Sequence, residues 1–141
     1  DLTIDPDAVV KPVEEYTTPN PVTANENTSI DELRALMTTY GVRHLPIVRN
    51  GDVVGLVSDR DLRIAQGLSA AHQLQVLAAD IMSIDPVSVK ADTPLDEVAL
   101  TMSDRKIGSV LVHEADGTFL GIFTLTDALN ALIEVVRARG G

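Results

Sequence analysis

The eight residues Gly55–Leu62, GLVSDRDL, pose the choice on which the fold turns. A glycine, two apolar residues, a hydroxyl and a carboxylate three positions later spell a strand running into a capped helix. The same residue types can also grip a ligand. Near the other end, Gly121–Leu129, GIFTLTDAL, repeats the order: glycine, two apolar residues, hydroxyl, two residues, aspartate.

The echo reaches well beyond these stretches. At a constant offset of 65, Pro21-Val22 matches Pro86-Val87, Thr28 matches Thr93, Asp31-Glu32 matches Asp96-Glu97 and Met37 matches Met102. From Gly51 onward the offset is 66, pairing Gly51 with Gly117, Gly55 with Gly121 and Asp61 with Asp127. The extra residue falls where RN of the first copy faces EAD of the second, a turn that tolerates insertion. The two halves are copies of one unit.

Each copy has the same grammar. A short extended piece, Pro21 to Ala24 or Pro86 to Val89, leads into a helix. Ile30, Leu33, Met37 and Tyr40 recur at helical spacing in the first copy, and Leu95, Val98 and Met102 in the second. Thr28 or Ser29 suits the first helix start, and Thr93 with Pro94 at the first helical position suits the second. Two strands follow around Asn50-Gly51 and around Asp116-Gly117, both hairpin signals. A second helix starts near Asp59 and near Leu125. The order β-α-β-β-α, twice, predicts an α+β fold. Units of roughly 60 residues bury too little surface to stand alone, so the two should pack sheet to sheet about a pseudo-twofold axis. The expected organisation is an N-terminal extension over 1–14, a first repeat over 15–79, a second over 80–136 and a tail over 137–141.

Composition bounds the function. Among 141 residues, 45% are hydrophobic but only 3% aromatic, so the core rests on Val, Leu, Ile and Ala. Cysteine is absent, which excludes disulfides, thiolate nucleophiles and zinc-thiolate sites. No apolar run approaches the roughly 18 residues of a membrane span and no basic-then-apolar leader opens the chain, so no membrane contact is expected, and the lack of cysteine favours a cytoplasmic setting. A net charge of −10 is the wrong sign for nucleic acid. Leu125, Leu129, Leu132, Ile133, Val135 and Val136 give the last helix more apolar face than one neighbour needs, which suggests a homodimer.

The segments GVRHLPIVRNGDVVGLVSDRDL and KIGSVLVHEADGTFLGIFTLTDAL, preceded by PVTANENTSIDEL and PVSVKADTPLDEV, resemble a tandem pair of CBS domains, a Bateman module. The resemblance covers about residues 15 to 136. It implies a regulatory, ligand-sensing module of a stand-alone CBS-domain protein, with adenine nucleotides such as AMP, ADP or ATP bound in clefts between the repeats. It also implies dimers shaped as flat discs, no enzymatic activity, and no cofactor beyond the regulatory ligand. S-adenosylmethionine, NAD or a cyclic dinucleotide is the alternative ligand. A protein-interaction or dimerisation module with a regulated partner protein is the alternative function.

Ser58-x-x-Asp61 and Thr124-x-x-Asp127 read as capping boxes on spacing alone, while the resemblance implies that the aspartate receives ribose hydroxyls and the hydroxyl residue the phosphate end, aided by the helix N-terminus. Arg43 and His44 are surface polar residues at a strand start or, by resemblance, phosphate contacts; Arg60 joins them in the first helical turn. The second copy has Gly108 and Ser109 there, so phosphate binding should lean on the first copy. Val42, Pro46, Ile107 and Leu111 are core or strand-edge residues which, by resemblance, flank the adenine. Val22 and Val87, with Thr18 and Ser83, fall in the segment that covers the base in relatives. The expected grouping is thus Thr18, Val22, Val42, Arg43, His44, Pro46, Ser58, Arg60 and Asp61 in one cleft. The other cleft takes Ser83, Val87, Ile107, Gly108, Ser109, Leu111, Thr124 and Asp127. Asp59-x-Asp61 lacks a third ligand, and His44, His72 and His113 lack ligand spacing, so no metal site is expected.

Overall fold

A computed structural model describes residues 10–140, so part of the N-terminal extension (1–9) and residue 141 of the tail lie outside the described residues. The elements are β1 (Thr18–Pro19), β2 (Ala24–Asn25), α1 (Ile30–Tyr40), β3 (His44–Arg49), β4 (Asp52–Ser58), α2 (Asp59–Ala65), α3 (Ala70–Gln73), α4 (Ala78–Ile81), β5 (Ser88–Lys90), α5 (Leu95–Arg105), β6 (Ser109–His113), β7 (Phe119–Thr124) and α6 (Leu125–Gly140). The β-α-β-β-α order is present twice, with α3 and α4 added between the copies. Among the described residues no helix is long and apolar enough to cross a membrane.

The chain forms two compact units, residues 20–87 and residues 10–19 with 88–140. The first holds a three-stranded sheet ordered β2-β3-β4, the second a four-stranded sheet ordered β1-β7-β6-β5. In both, the first strand of the repeat runs parallel to the second, and the hairpin is antiparallel.

Local chemistry explains the elements. Ser29 Oγ accepts from Glu32 N at 3.2 Å to start α1, and Ile30, Leu33 and Met37 turn to the core. Tyr40, the fourth member of the series, is 59% exposed, because the helix ends there at Gly41, which takes the left-handed conformation at φ 64. Pro94 stands one position earlier than expected, at the N-cap of α5, where its extended backbone (ψ 139) precludes a helical role. Its carbonyl receives Val98 N at 3.2 Å, and Thr93 provides no side-chain cap.

The two hairpins differ by turn type. Asn50 and Gly51 both have positive φ (51 and 84), the type I′ pair of a two-residue loop between Arg49 and Asp52. In the second copy Glu114 N donates to Thr118 O at 2.8 Å and Gly117 N to Glu114 O at 2.9 Å, with only Gly117 left-handed (φ 89). That is the three-residue loop, and its additional residue is the slip in the repeat offset.

In the 20–87 unit, Ile30, Leu33, Leu45, Ile47, Val57 and Leu62 head the buried cluster. Val13, Val98, Val110, Leu111, Val112 and Phe123 are the fully buried large side chains of the other unit. Val13 comes from the start of the chain, and its presence there marks an exchange. Residues 15–19, expected in the first repeat, lie in the unit of the second. Residues 80–87, expected in the second, lie in the unit of the first.

The exchange is symmetric to the residue. Val13 N donates to Thr93 O and Ala78 N to Thr28 O, both at 2.8 Å. Pro12 bridges Pro94, and Leu77 bridges Ser29. Thr18 pairs with Ile122, and Ser83 with Leu56. Asn20 and Asp85, at matching positions, take left-handed φ values of 47 and 56 just after each docked segment. Short Asn and Asp side chains tolerate that conformation best among non-glycine residues.

Candidate functional site

The glycines of the two opening stretches are demanded by these docked segments. A Cβ on Gly55 would meet Met82 Sδ at 2.5 Å and Ser83 O at 3.0 Å, and one on Gly121 would press into Thr18 O and lie 3.0 Å from Pro19 Cα. Each glycine therefore lets a segment from the other repeat lie flat on the strand, three residues before the hydroxyl that ends it.

The hydroxyl and carboxylate form true capping boxes. Ser58 N and Oγ both donate to Asp61 Oδ2, at 2.8 and 3.0 Å, and Asp61 N returns to Ser58 Oγ at 3.2 Å. Thr124 N and Oγ1 donate to Asp127 Oδ2 at 2.9 and 3.1 Å, and Asp127 N returns at 3.4 Å. A further backbone bond ties each box to the start of the preceding strand, Asp59 N to Arg43 O at 2.9 Å and Leu125 N to Gly108 O at 3.1 Å.

In the 20–87 unit these bonds bring Arg43, His44, Ser58 and Asp61 together, with His44 paired to Ser58 across the hairpin. His44 is half-buried, and burial pushes its pKa below the ordinary value; Asp59 and Asp61 pull it up and Arg43 pushes it down. Arg43 and Arg60 are exposed and make no ion pair among the described residues; Asp59 engages Arg63 at 3.8 Å, and Asp61 gives its Oδ2 to the cap. Pro46 is fully buried, and Val22 and Val42 pack against the cluster, so their bulk is core. A concavity of about 380 Å³ is lined by Asp61, Ile64, Ala65, Leu68, Val76, Asp80 and Ile81.

The other unit brings Gly108, Ser109, Thr124 and Asp127 together. Ser109 and Leu111 are buried and Ile107 is half-buried. A concavity of about 450 Å³ lies between α5 and α6, with Ile107, Gly108, Leu125 and Ala128 on its wall.

Two residues are regrouped. Thr18, expected beside Ser58 and Asp61, donates its hydroxyl to Asp127 Oδ1 at 3.1 Å. Ser83, expected with Thr124, exchanges both backbone bonds with Leu56, two residues before Ser58. Val22 lies in the 20–87 unit, and half-buried Val87 is the last residue of that unit. Sequence spacing carries repeats in order and cannot register an exchange of their leading segments. Asp80 on the wall of the Asp61 concavity was also missed, being one more helix-start carboxylate, bonded to Leu77 N at 2.9 Å. No group of three metal-ligating side chains occurs among the described residues.

The CBS domain model matches the chain twice, at residues 13–67 and 78–134, each match beginning at a docked segment. A putative acetoin utilization protein from Vibrio cholerae superposes with a TM-score of 0.82 at 30% identity, over 94% of this chain and 97% of that one. CBSX2 in complex with AMP gives a TM-score of 0.78 at 26% identity, covering 89% and 98%. The CBS domain pair of protein MJ0100, in complex with 5′-methylthioadenosine and S-adenosyl-L-methionine, gives 0.78 at 28% identity, covering 88% and 97%. Among curated sequences, an inosine-5′-monophosphate dehydrogenase of Korarchaeum cryptofilum is 30% identical over 84% of the chain, which spans only 24% of that enzyme. A CBS domain-containing protein of Dictyostelium discoideum is 29% identical over 81% of the chain and 86% of its own length.

Proposed function

This chain belongs to the CBS-domain family, and on that premise we propose that it is a non-catalytic regulatory module binding an adenine nucleotide. The observation that carries the proposal is the pair of matched hydroxyl–carboxylate corners, one of them beside Arg43 and His44. A carboxylate offers about four acceptor sites. Capping uses some of those on Asp61 and leaves others for the ribose diol, so cap and ligand contact coexist. Arg43, with its planar donor fork, is the residue for a phosphate, and its exposure leaves it free to reach one. The AMP, S-adenosyl-L-methionine and 5′-methylthioadenosine complexes among similar structures support an adenosine-containing ligand. A cytoplasmic setting, where such metabolites circulate, belongs to the same proposal.

Calorimetry and thermal shift with AMP, ADP, ATP, NAD, S-adenosylmethionine and 5′-methylthioadenosine test this. Binding of at least one, weakened tenfold or more by Asp61→Ala, is the expected result. No heat and no melting shift with any of them would remove the proposal.

A second observation favours self-association. Leu125, Leu129, Leu132, Ile133, Val135 and Val136 of α6 are between 46% and 59% exposed, whereas the side chain turned inward is the small Ala131. Residues 125, 128/129, 132 and 135/136 fall on the 3.5-residue period of a helix-pairing seam. Together the six expose on the order of 500 Å² of apolar surface, near the top of what monomers show and well over half of the roughly 800 Å² per partner of a standard interface. We take the occupant to be a second copy, α6 against α6, because a seam of this kind is complementary to itself.

A further inference from the structure

We infer that the two corners differ in occupancy: the Asp61 corner takes the ribose of the ligand, whereas the Asp127 corner is held shut by the protein's own Thr18 hydroxyl. The inference rests on the ligand class proposed above and adds to it which site is open.

Both units carry the same box, so the difference lies in what the second carboxylate oxygen meets. Asp127 Oδ2 is taken by Thr124, and its Oδ1 accepts from Thr18 Oγ1 at 3.1 Å. Asp61 Oδ2 is taken by Ser58, and its Oδ1 accepts no hydrogen bond among the described residues. Ser83 stands where Thr18 stands in the repeat and pairs with Leu56 as Thr18 pairs with Ile122. Its hydroxyl bonds no described residue. The side chains account for the contrast, because branched threonine is stiff at χ1 and holds one direction, whereas serine rotates into water.

The surroundings agree. Asp61 lies on the wall of a concavity of about 380 Å³ whose other lining is mainly apolar. The concavity of about 450 Å³ in the other unit has Gly108 and Leu125 on its wall, but neither Asp127 nor Thr124. A ribose diol donates two hydrogen bonds, and at Asp61 it finds an unengaged oxygen on a side chain that lines the concavity. At Asp127 it must first displace a hydrogen bond to a charged acceptor, which belongs to the stronger class. The expected consequence is affinity at least tenfold lower there.

Calorimetry on the whole chain with adenosine and with AMP tests this, using wild type, Asp61→Asn, Asp127→Asn and Thr18→Val. Wild type should bind one equivalent per chain. Asp61→Asn should weaken it tenfold or more, while Asp127→Asn leaves it nearly unchanged. Thr18→Val keeps the branched shape that the strand pairing needs and should add a second equivalent. Two equal equivalents in wild type, loss on Asp127→Asn rather than Asp61→Asn, or unchanged stoichiometry in a folded Thr18→Val would each overturn the inference. The comparison of the two asparagine variants stands even if Thr18→Val does not fold. Absence of binding throughout sinks the proposed function itself, and two equal sites sink only the asymmetry.

Discussion

Gly121→Ala should destabilise the protein far more than Gly55→Ala, although the two glycines are repeats of one position. At Gly121 the added methyl meets backbone, the Thr18 carbonyl group with its carbon at 2.9 Å and Pro19 Cα at 3.0 Å. Backbone in a paired strand cannot swing aside, so β1 must lift off β7. At Gly55 the two nearest atoms are Met82 Sδ and Cγ, at 2.5 and 2.8 Å, the end of a flexible side chain that can choose another rotamer. Overpacking costs about 1–3 kcal/mol. Gly121→Ala should fall at or above the top of that range, because β1 pairing and the Thr18–Asp127 bond, a further roughly 1 kcal/mol or more, go with it. Gly55→Ala should cost about 1 kcal/mol, partly offset by the lower chain entropy of alanine in the unfolded state. Urea unfolding measures both, and hydrogen exchange should show β1 and β7 amides losing protection in Gly121→Ala while β3 and β4 keep theirs. Equal costs for the two variants, or a neutral Gly121→Ala, would refute the claim that the glycine exists to admit the docked strand.

Without ligand, Ser58→Ala should cost about 0.5–2 kcal/mol in urea unfolding, the value of an N-cap, whatever its effect on binding. His44 binds its proton less readily folded than unfolded, so the stability it contributes is present above the ordinary histidine value of about 6.5 and is lost as pH falls through that value. Melting curves should therefore show wild type losing stability below that pH more steeply than His44→Phe, and parallel curves would remove His44 as the cause. Leu129→Glu with Leu132→Glu should yield monomers in sedimentation velocity with little change in melting temperature, since both side chains are more than half exposed; a wild type that already sediments as a monomer contradicts the α6 seam.

The features legible from sequence were those specified by neighbours along the chain. Ser58 with Asp61 and Asn50-Gly51 each fix their local geometry within four residues and stand as expected, and of Thr28 and Ser29, both open as the start of α1, Ser29 is the cap. The Pro94 shift is a one-residue error of the same local kind. The regrouping of Thr18 and Ser83 was of another order, because Thr18 finds its partner 109 residues away and no short-range pattern encodes that. Its traces were nonetheless in the sequence: two glycines with no turn to make, and an Asn-Pro and an Asp-Pro at matching positions. Each trace has a bland local meaning, and only the close approach at Gly121 and the left-handed Asn20 and Asp85 disclose their common purpose.

The exchange of leading segments also fixes a timetable for synthesis. Residues 20–87 contain every described strand and helix of their unit, so all of its pairing partners exist before β5 is made. Residues 12–19 precede that unit yet find their partners after it: Val13 and Glu14 bond to Thr93 and Ala91, and Thr18-Pro19 pairs with Ile122-Gly121 of β7. While residues 20–87 are being made, this segment, with apolar Val13 in it, therefore has no place to dock, and Thr18-Pro19, which stands before that unit in sequence, pairs only after β7 has been made.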